Sequence, residues 1–408
     1  MLALLKVTLT FAILIFMVRK RIGLGIALLT GALLLGILFG LDLISISRAA
    51  CKASIDKKTL LLLGVVLLIT IMGNILKAIE NFDALVNSLE SLIQDNRVVM
   101  AIVPAIIGLL PMPGGALVSA PMAGEVGKRL GLSKEKRTFF NYWFRHIWEY
   151  IFPLYPGIIL VSSLLSVPLG EIIKVQFPLT MAAILGGTFF ALKKIEYLNK
   201  PETGYEINKF SSLKTLFFSI WPILLVIFSC FVLKVPLIIA LLGTVILLIL
   251  FENLKWGKTI LILKESVSFR TIFLILGIMI FKEVLAVSGA SAILPEELKT
   301  IGIPHYVILF AIPFIVGLMV GDTAGFVGIT FPVLYPFMNT GSVNLNLSMV
   351  AFVGGYAGVL LSPTHLCLVL TGEYFGADLS KVYRMLLVPV AFIVIVALLL
   401  AYVRLKVY

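Results

Sequence analysis

The apolar residues of this chain come in runs about as long as a lipid bilayer is thick, and most charged residues fall between those runs. A hydrocarbon core of about 30 Å takes roughly 20 helical residues to cross, and residues 2–18, 60–79 and 216–232 are runs of that kind. Lipid offers the backbone no hydrogen-bond partners, so such runs are expected to be helices, which satisfy their own backbone groups. The pattern predicts an all-α polytopic membrane protein with about 10–12 transmembrane helices.

Composition and charge agree with a membrane protein rather than a soluble one. Of 408 residues, 60% are hydrophobic and 13% are charged, whereas soluble domains carry about 25% charged residues. The net charge of +12 would make nucleic acid a candidate partner of a soluble protein, but cationic cytoplasmic loops explain it better here. We expect a multi-pass protein of the cytoplasmic membrane that contacts lipid and no nucleic acid; homodimer formation stays open.

The cysteines and the common catalytic motifs argue against several other classes of protein. Cys51, Cys230 and Cys367 are widely spaced and form no Cys/His ligand cluster along the sequence, so neither a disulfide framework nor a zinc site is predicted. They are interpreted as small apolar packing residues. The sequence contains no Walker motif, no G-x-S-x-G and no H-E-x-x-H, so the chain is not expected to be an ATP-driven pump or an enzyme.

The two halves of the chain resemble each other at a fixed offset. Proline and glycine positions recur 209 or 210 residues later: Pro104 and Pro313, Gly108 and Gly317, Gly115 and Gly325, Pro153 and Pro363. The basic segment 128–137 corresponds to the uncharged segment 339–346, as expected if the halves have opposite membrane topology. The sequence therefore predicts two inverted-topology repeats, against the alternative that glycine and proline recur by chance.

The predicted organisation has four parts and several polar connectors. Residues 1–58 form N-terminal helices, 59–192 the first repeat, 193–269 a linker with connecting helices, and 270–408 the second repeat. Segments 45–58 and 252–264 are predicted to be connecting loops, and 193–214 is the best candidate linker between the halves.

Three helix breaks are predicted at membrane depth, where irregular backbone is tolerated only inside protein or beside a water-filled cavity. The first, at 111–115, separates apolar stretches too short to span the bilayer, which indicates a re-entrant hairpin or an unwound crossing. Its counterpart is 321–325, and the third break is 362–365, which corresponds to 152–157. A packed kink with hydroxyls bonded back to the helix is the alternative.

Broken helices expose backbone groups that can bind an ion or a substrate. Half-helix N-termini suit an anion and freed carbonyl groups suit Na⁺, so we predict a cation-coupled secondary transporter of a small organic anion such as a carboxylate. Asp322 is the leading ligand of the coupling cation, either Na⁺ at a metal site or H⁺, and no other cofactor is expected. The predicted substrate- and ion-binding residues are Gly114, Gly115, Ser119, Asp322, Thr323, Ser362, Pro363, Thr364 and His365.

Other charged residues fall inside apolar runs, where charge is costly and usually functional. Lys282 and Glu283 are candidates for a proton path or for interhelical ion pairs. Glu149 lies four residues before Pro153 and is a lesser site candidate, although its aromatic-rich segment 139–152 reads mainly as an interfacial anchor. Glu373 is interpreted as a solvated helix end, with a proton path as the alternative.

Three strings carry a resemblance to a known family: "LLPMPGGALVSAPMAGEVGKRLGLSKEKRTFFNYWFRHIWEY", "VGDTAGFVGITFPVLYP" and "GVLLSPTHLCLVLTGEYFGADL". They resemble an uncharacterised prokaryotic integral membrane protein family, domain of unknown function 401. That family is grouped with the ion transporter superfamily of dicarboxylate, citrate and gluconate carriers and Na⁺/H⁺ antiporters. The resemblance implies inverted repeats with hairpin tips at 111–115 and 321–325 and interrupted helices at 153–157 and 362–365. The chain lacks the Ser-Asn-Thr tip motifs of the dicarboxylate carriers.

Two further functions remain in competition with an anion transporter. A cation/H⁺ antiporter without an organic substrate would use Asp322 and His365. An intramembrane enzyme would need Asp322, His365 and Glu373 to converge as an acid–base group.

Overall fold

The structure is a computed structural model that describes most of the chain. The described residues are 2–79, 88–89, 91–93, 95–109, 115–192, 209–252, 254–339 and 341–407. Most of the predicted first hairpin tip, including Gly114, and most of the predicted linker lie outside them.

The first half is built from helices joined by short turns. Their bounds are α1 Leu2–Arg19, α2 Leu24–Leu38, α3 Leu43–Ile55, α4 Lys57–Ile79, α5 Asn96–Gly108, α6 Gly115–Arg129, α7 Lys134–Arg145, a 3₁₀ helix Ile147–Tyr150, α8 Pro156–Leu165 and α9 Leu169–Leu192. The predicted loop at 45–58 is wrong. Asp42 caps α3 by accepting a hydrogen bond from the backbone of Ser45, and the amphipathic segment that follows is helical to Ile55.

The second half repeats this order of elements. Its helices are α10 Lys209–Phe231, α11 Leu237–Phe251, α12 Trp256–Ser266, α13 Phe269–Val287, α14 Ala290–Ile301, α15 His305–Val320, α16 Thr323–Met338, α17 Leu345–Leu360, α18 Leu366–Phe375 and α19 Leu379–Val407. The prediction of a loop at 252–264 is wrong for residues 256–264, which belong to α12.

The length and surface of the helices identify an all-α polytopic membrane protein. Among the residues that the structure describes, five helices are long and apolar enough to cross a bilayer: Leu2–Arg19, Lys57–Ile79, Leu169–Ala191, Lys209–Phe231 and Leu379–Arg404. Large apolar side chains cover their outer faces, for example Phe189, Phe218 and Leu399. An extended apolar surface of this kind fits lipid, because soluble monomers rarely expose large contiguous apolar patches.

Backbone conformation repeats along the two halves. Helices α8 and α18 have ten residues each and begin 210 residues apart, while α2 and α11 have fifteen residues each and begin 213 residues apart. A left-handed residue closes α8 at Ser166 and α18 at Gly376, and positive φ angles recur at Arg21 and Lys234. Non-glycine residues with positive φ are uncommon, so a repeated pair reflects a common backbone path.

Helices α15 and α16 form a hairpin that is shorter than a bilayer is thick. The rings of His305 and Phe337, at the open ends of the two helices, lie 5.9 Å apart, so the helices run antiparallel. Each has 16 residues, or about 24 Å at 1.5 Å per residue. The second-half break is therefore a hairpin tip at residues 321–322. Helices α5 and α6 likewise pack against each other, with 13 and 15 residues.

Glycine allows the hairpin to lie close to the interrupted helix α17. A Cβ atom added at Gly317 would overlap the carbonyl oxygen of Gly355, and one added at Gly358 would overlap that of Phe314. Small residues let membrane helices approach to backbone contact. This contact fixes the hairpin tip beside the end of α17.

The corresponding helices α9 and α19 pack against each other and run in opposite directions. Arg404, near the end of α19, donates a 3.3 Å hydrogen bond to the carbonyl oxygen of Val175, near the start of α9. Farther along α9, Gly186 contacts Phe392, which comes before Arg404 in α19. Residue numbers increase along α9 in the direction in which they decrease along α19, so the two helices are antiparallel.

Candidate functional site

Two interrupted helices cross at the centre of the protein. In the first half, α7 ends at Arg145 and α8 begins at Pro156; in the second, α17 ends at Leu360 and α18 begins at Leu366. Prolines restrict the residue before them and cannot donate to a helix, which accounts for breaks next to Pro153, Pro156 and Pro363.

Each interrupted helix satisfies a backbone group freed by the break in the other. The hydroxyl of Tyr142 donates a 3.0 Å hydrogen bond to the carbonyl oxygen of Leu360, and the hydroxyl of Tyr356 donates a 2.8 Å bond to that of His146. Carbonyl groups at a helix C-terminus have no intrahelical partner. Both tyrosines are fully buried, so these bonds hold the two breaks together in the core.

The hairpin tip is a left-handed glycine followed by a capping carboxylate. Gly321 has φ +67°, and a Cβ there would lie 2.6 Å from the Thr364 hydroxyl oxygen; only glycine fits both the backbone conformation and the space. Asp322 is exposed at the tip, and one of its carboxylate oxygens accepts a 2.7 Å hydrogen bond from the backbone N–H of Gly325. It is the N-cap of α16.

Hydroxyls of the second interrupted helix bind the end of the hairpin's first arm. Ser362 donates a 2.7 Å hydrogen bond to the carbonyl oxygen of Leu318, and Thr364 donates a 3.3 Å bond to that of Met319. The two hydroxyl oxygens are 2.8 Å apart. The predicted residues Ser362 and Thr364 thus connect the break in α17–α18 to the hairpin tip.

His365 links this tip to the first half of the chain. Its Nδ1 lies 2.7 Å from the carbonyl oxygen of Gly321, and its Nε2 lies 3.1 Å from Nε2 of His146. The Nδ1 of His146 in turn contacts the carbonyl oxygen of Tyr142. Both imidazoles are buried.

Glu149 makes the second link between the halves. Its side chain accepts a 2.6 Å hydrogen bond from the hydroxyl of Thr323, the first residue of α16. Its other oxygen lies 3.8 Å from Nε2 of His146. Arg145 and Glu149 are both buried in the same region, so the core holds opposite charges beside the tip.

The N-terminal ends of three helices meet here. Gly157, at the start of α8, is in contact with Thr323, at the start of α16. Gly321 contacts the backbone nitrogen of His365, which directly precedes α18. Since each helix N-terminus presents free N–H groups and a partial positive charge, the three ends add positive potential next to the carboxylates of Asp322 and Glu149.

The structure gathers most, but not all, of the predicted site residues. Asp322, Thr323, Ser362, Pro363, Thr364 and His365 lie together, whereas Gly115 and Ser119 lie in α6. The buried hydroxyl of Ser119 is within 3.4 Å of the carbonyl oxygens of Gly115 and Ala116.

The other charged candidates have structural partners or lie at the surface. Lys282 donates a 3.1 Å hydrogen bond to the carbonyl oxygen of Leu164. Glu283 forms a 2.7 Å interhelical ion pair with the exposed Lys52. Glu373 is exposed on α18, as the interpretation of a solvated helix end expects.

The interpretation of segment 139–152 as mainly an interfacial anchor is wrong for Tyr142 and Trp143, which are buried in the core, where the Trp143 indole donates to the carbonyl oxygen of Ala183. Cys367, interpreted as a packing residue, also has its sulfur 3.4 Å from a guanidinium nitrogen of Arg145. The internal repeat could have drawn attention to this segment, because the offset between the halves aligns His146 with Tyr356 in the second interrupted helix.

A cavity of about 290 Å³ lies elsewhere in the molecule. It is lined mainly by α10, with Leu76, Ile106 and Glu252 from neighbouring helices. Because the helix breaks and their polar groups converge at the hairpin tip instead, we assign the functional site to the tip.

Comparison with known proteins identifies the family of this chain and a solved structure of similar fold. The model of the family described as protein of unknown function (DUF401) matches residues 2–405. The chain belongs to this family. No curated protein matches its sequence.

Among solved structures, the chain is similar to the crystal structure of the YdaH transporter of Alcanivorax borkumensis, which is described as having an unusual topology. The TM-score is 0.61 at 15% sequence identity, and the match covers 84% of this chain and 85% of that one. At this identity the likeness establishes a shared fold.

Proposed function

We propose that this member of the DUF401 family is a secondary active transporter that moves a small organic anion, such as a carboxylate, together with a coupling cation. The observation that carries the proposal is the meeting of three helix N-termini, those of α8, α16 and α18, at the exposed tip of a short hairpin. In a membrane protein, discontinuous helices arranged in this way are typical of substrate sites near the bilayer midplane.

The electrostatics of the site favour an anionic substrate. Each of the three helix ends contributes free N–H groups and a partial positive charge, and the buried guanidinium of Arg145 adds a full charge. Thr364 is exposed beside the tip and offers a hydroxyl for hydrogen bonding. A carboxylate can accept hydrogen bonds from the N–H groups, the guanidinium and the hydroxyl.

Asp322 is the proposed ligand of the coupling cation. Its carboxylate has acceptor sites beyond the one occupied by the Gly325 N–H, and its position at the exposed tip places it next to the substrate. A cation there would offset the charge that the substrate adds. Na⁺ and H⁺ are both candidates, and binding measurements separate them.

The packing of α9 against α19 supports an inverted repeat. These helices occupy the same place in the two halves and run antiparallel. A pseudo-two-fold axis along the membrane normal would leave equivalent helices parallel, whereas an axis in the membrane plane reverses them. We propose repeat units of residues 2–192 and 209–407, which extend the predicted repeats to include the N-terminal helices and the connecting helices.

The enzyme hypothesis has less support. It required Asp322, His365 and Glu373 to converge, but Glu373 lies eight residues along α18 from His365, or about 12 Å, and faces outward. The related fold is described as a transporter, which agrees with the proposal.

Ligand-dependent stability of the purified protein tests the proposal. A ligand that binds the native state raises the unfolding temperature, so we would screen small carboxylates with and without Na⁺ at two pH values. We expect one acid class to stabilise the wild type, and the cation-dependent part of the shift to be lost in Asp322→Asn. Stabilisation by a cation or by pH alone, with every acid inactive, would favour a cation/H⁺ antiporter and contradict the anion transporter.

A further inference from the structure

Three side chains beside the proposed transport site point at one another in the core, and one of them, His365, also belongs to that site. One ring nitrogen of His146, one of His365 and the Sγ atom of Cys367 all lie within 4.8 Å of one another. Both histidines are buried and Cys367 is half-buried. Imidazole nitrogen and cysteine sulfur are the ligands that Zn²⁺ and similar cations prefer.

Hydrogen bonding fixes the orientation of both imidazoles. Nδ1 of His146 faces the carbonyl oxygen of Tyr142, and Nδ1 of His365 faces that of Gly321. A carbonyl only accepts, so each Nδ1 carries the proton, and each neutral ring presents a lone pair at Nε2. This arrangement, in which the distal nitrogen donates to a backbone carbonyl, is the one that metal-binding histidines adopt.

The two lone pairs need a positive species between them. The Nε2 atoms are 3.1 Å apart, and two lone pairs at that distance repel each other. Two nitrogen ligands on one tetrahedral zinc ion, each at about 2.0–2.1 Å, lie roughly 3.3 Å apart. The observed separation therefore needs only a small adjustment to hold the ion.

Charged neighbours complete the environment. A guanidinium nitrogen of Arg145 lies 3.4 Å from the sulfur of Cys367, where its charge complements a thiolate ligand. A carboxylate oxygen of Glu149 lies 3.8 Å from Nε2 of His146 and is the nearest group for a fourth position. A thiolate and a carboxylate balance the charge of a divalent cation, as a buried site favours, and the guanidinium of Arg145 leaves one positive charge beside them.

We propose that His146, His365 and Cys367 bind a single divalent cation of the zinc class. The site joins the halves of the chain, because His146 belongs to the first and the other two ligands to the second. His365 also holds the carbonyl group of Gly321 at the hairpin tip. A bound ion therefore stabilises the tip in the conformation described here.

Metal binding by the purified full-length protein tests the proposal directly. After removal of bound metal, the protein would be titrated with Co²⁺, whose visible spectrum reports tetrahedral geometry and thiolate ligation, and then with Zn²⁺. We expect one Co²⁺ per chain with a thiolate charge-transfer band that Zn²⁺ abolishes. Cys367→Ser should remove that band and weaken binding at least about tenfold, and His146→Asn should weaken it similarly.

The chain contains its own controls. Cys230→Ser and His305→Asn alter the same residue types outside the cluster and should leave the titration unchanged. Size-exclusion profiles identify any variant that fails to fold, and the unfolding temperature of the wild type with and without a chelator gives a readout that needs no variant. We expect the chelator to lower it.

The absence of saturable Co²⁺ binding by wild type, or binding that Cys367→Ser and His146→Asn leave unchanged, would overturn the proposal. In the first case the two imidazoles must share a proton instead. These measurements do not depend on transport, so the metal site and the transporter function can fail separately.

Discussion

At the hairpin tip, one hydroxyl joins the two halves of the chain. Thr323 donates a 2.6 Å hydrogen bond to the buried carboxylate of Glu149. Removing a donor from a buried charged acceptor costs about 1–3 kcal/mol or more, so Thr323→Val should lower the unfolding temperature.

Thr330→Val is the matched control for this change. Thr330 lies in the same helix and is also buried, but its hydroxyl bonds back to the carbonyl oxygen of Phe326, which the helix already satisfies. Equal unfolding temperatures for the two variants would show that the Thr323–Glu149 contact is unimportant.

Substitution can separate the observed capping role of Asp322 from its proposed role as a cation ligand. As the N-cap of α16 it is worth about 1 kcal/mol relative to alanine, and asparagine caps nearly as well. Asp322→Asn should therefore keep the stability of the wild type but lose the cation-dependent ligand shift, whereas Asp322→Ala should lose both. Differential scanning fluorimetry with and without the cation measures both effects, and a cation-dependent shift that survives in Asp322→Asn would rule out the proposed ligand.

Local sequence picked out the second-half residues at the tip and kept Glu149 as a lesser first-half candidate, but it did not pick out Arg145 or His146. Asp322, Thr323 and Ser362 to His365 stand next to glycine or proline, so a break in the helix could be predicted from local sequence. Arg145 and His146 lie in an aromatic segment without glycine or proline, so local sequence does not indicate a break there. His146 and His365 are separated by 219 positions in the sequence, so their contact could not be predicted from local sequence. Only the packing of two distant helices brings them together.

Among the helices, the closest packing is between α15 and α17. A Cβ added at Gly317 would overlap the carbonyl oxygen of Gly355, which is rigid backbone. Gly317→Ala should force the hairpin away from the interrupted helix and lower stability by about 1–3 kcal/mol. A lowered denaturation midpoint in detergent would show this effect.

Gly243→Ala provides the comparison, because no atom lies within 4 Å of a Cβ at Gly243 in α11. Alanine also has the higher helix propensity, so this variant should be neutral or slightly more stable. If Gly317→Ala behaves the same way, the close approach of α15 and α17 is not required.

Hydropathy recognised the long helices and missed the short amphipathic ones. Helices α3 and α12 carry polar residues on one face, and their low mean hydropathy leads to the wrong prediction of loops. Their apolar positions, such as Ile46 and Ala49 in α3, are nevertheless buried. Apolar residues recur with helical spacing inside these polar segments, and mean hydropathy alone does not detect that spacing.

At the scale of the whole molecule, the proposed inverted repeat predicts the sides on which two corresponding loops lie. Lys134 and Ser342 are exposed beside the turns that follow the two hairpins. In an inverted repeat these turns face opposite sides of the membrane. A cysteine at Lys134 should therefore react with an impermeant maleimide from one side and a cysteine at Ser342 from the other. Labelling of both from the same side would indicate a parallel repeat.

The proposed secondary transporter requires its hairpin-tip site to open alternately to the two sides of the membrane, and Thr364→Cys tests this requirement without knowledge of the substrate. Cys51 and Cys230 would first be replaced by serine. The resulting protein, in which Cys367 remains, must give no label before Thr364→Cys is added. In oriented membrane vesicles, an impermeant maleimide should then label Cys at position 364 from either side, and a stabilising acid should suppress the labelling. Reaction from one side only, whatever the ligand, would contradict alternating access.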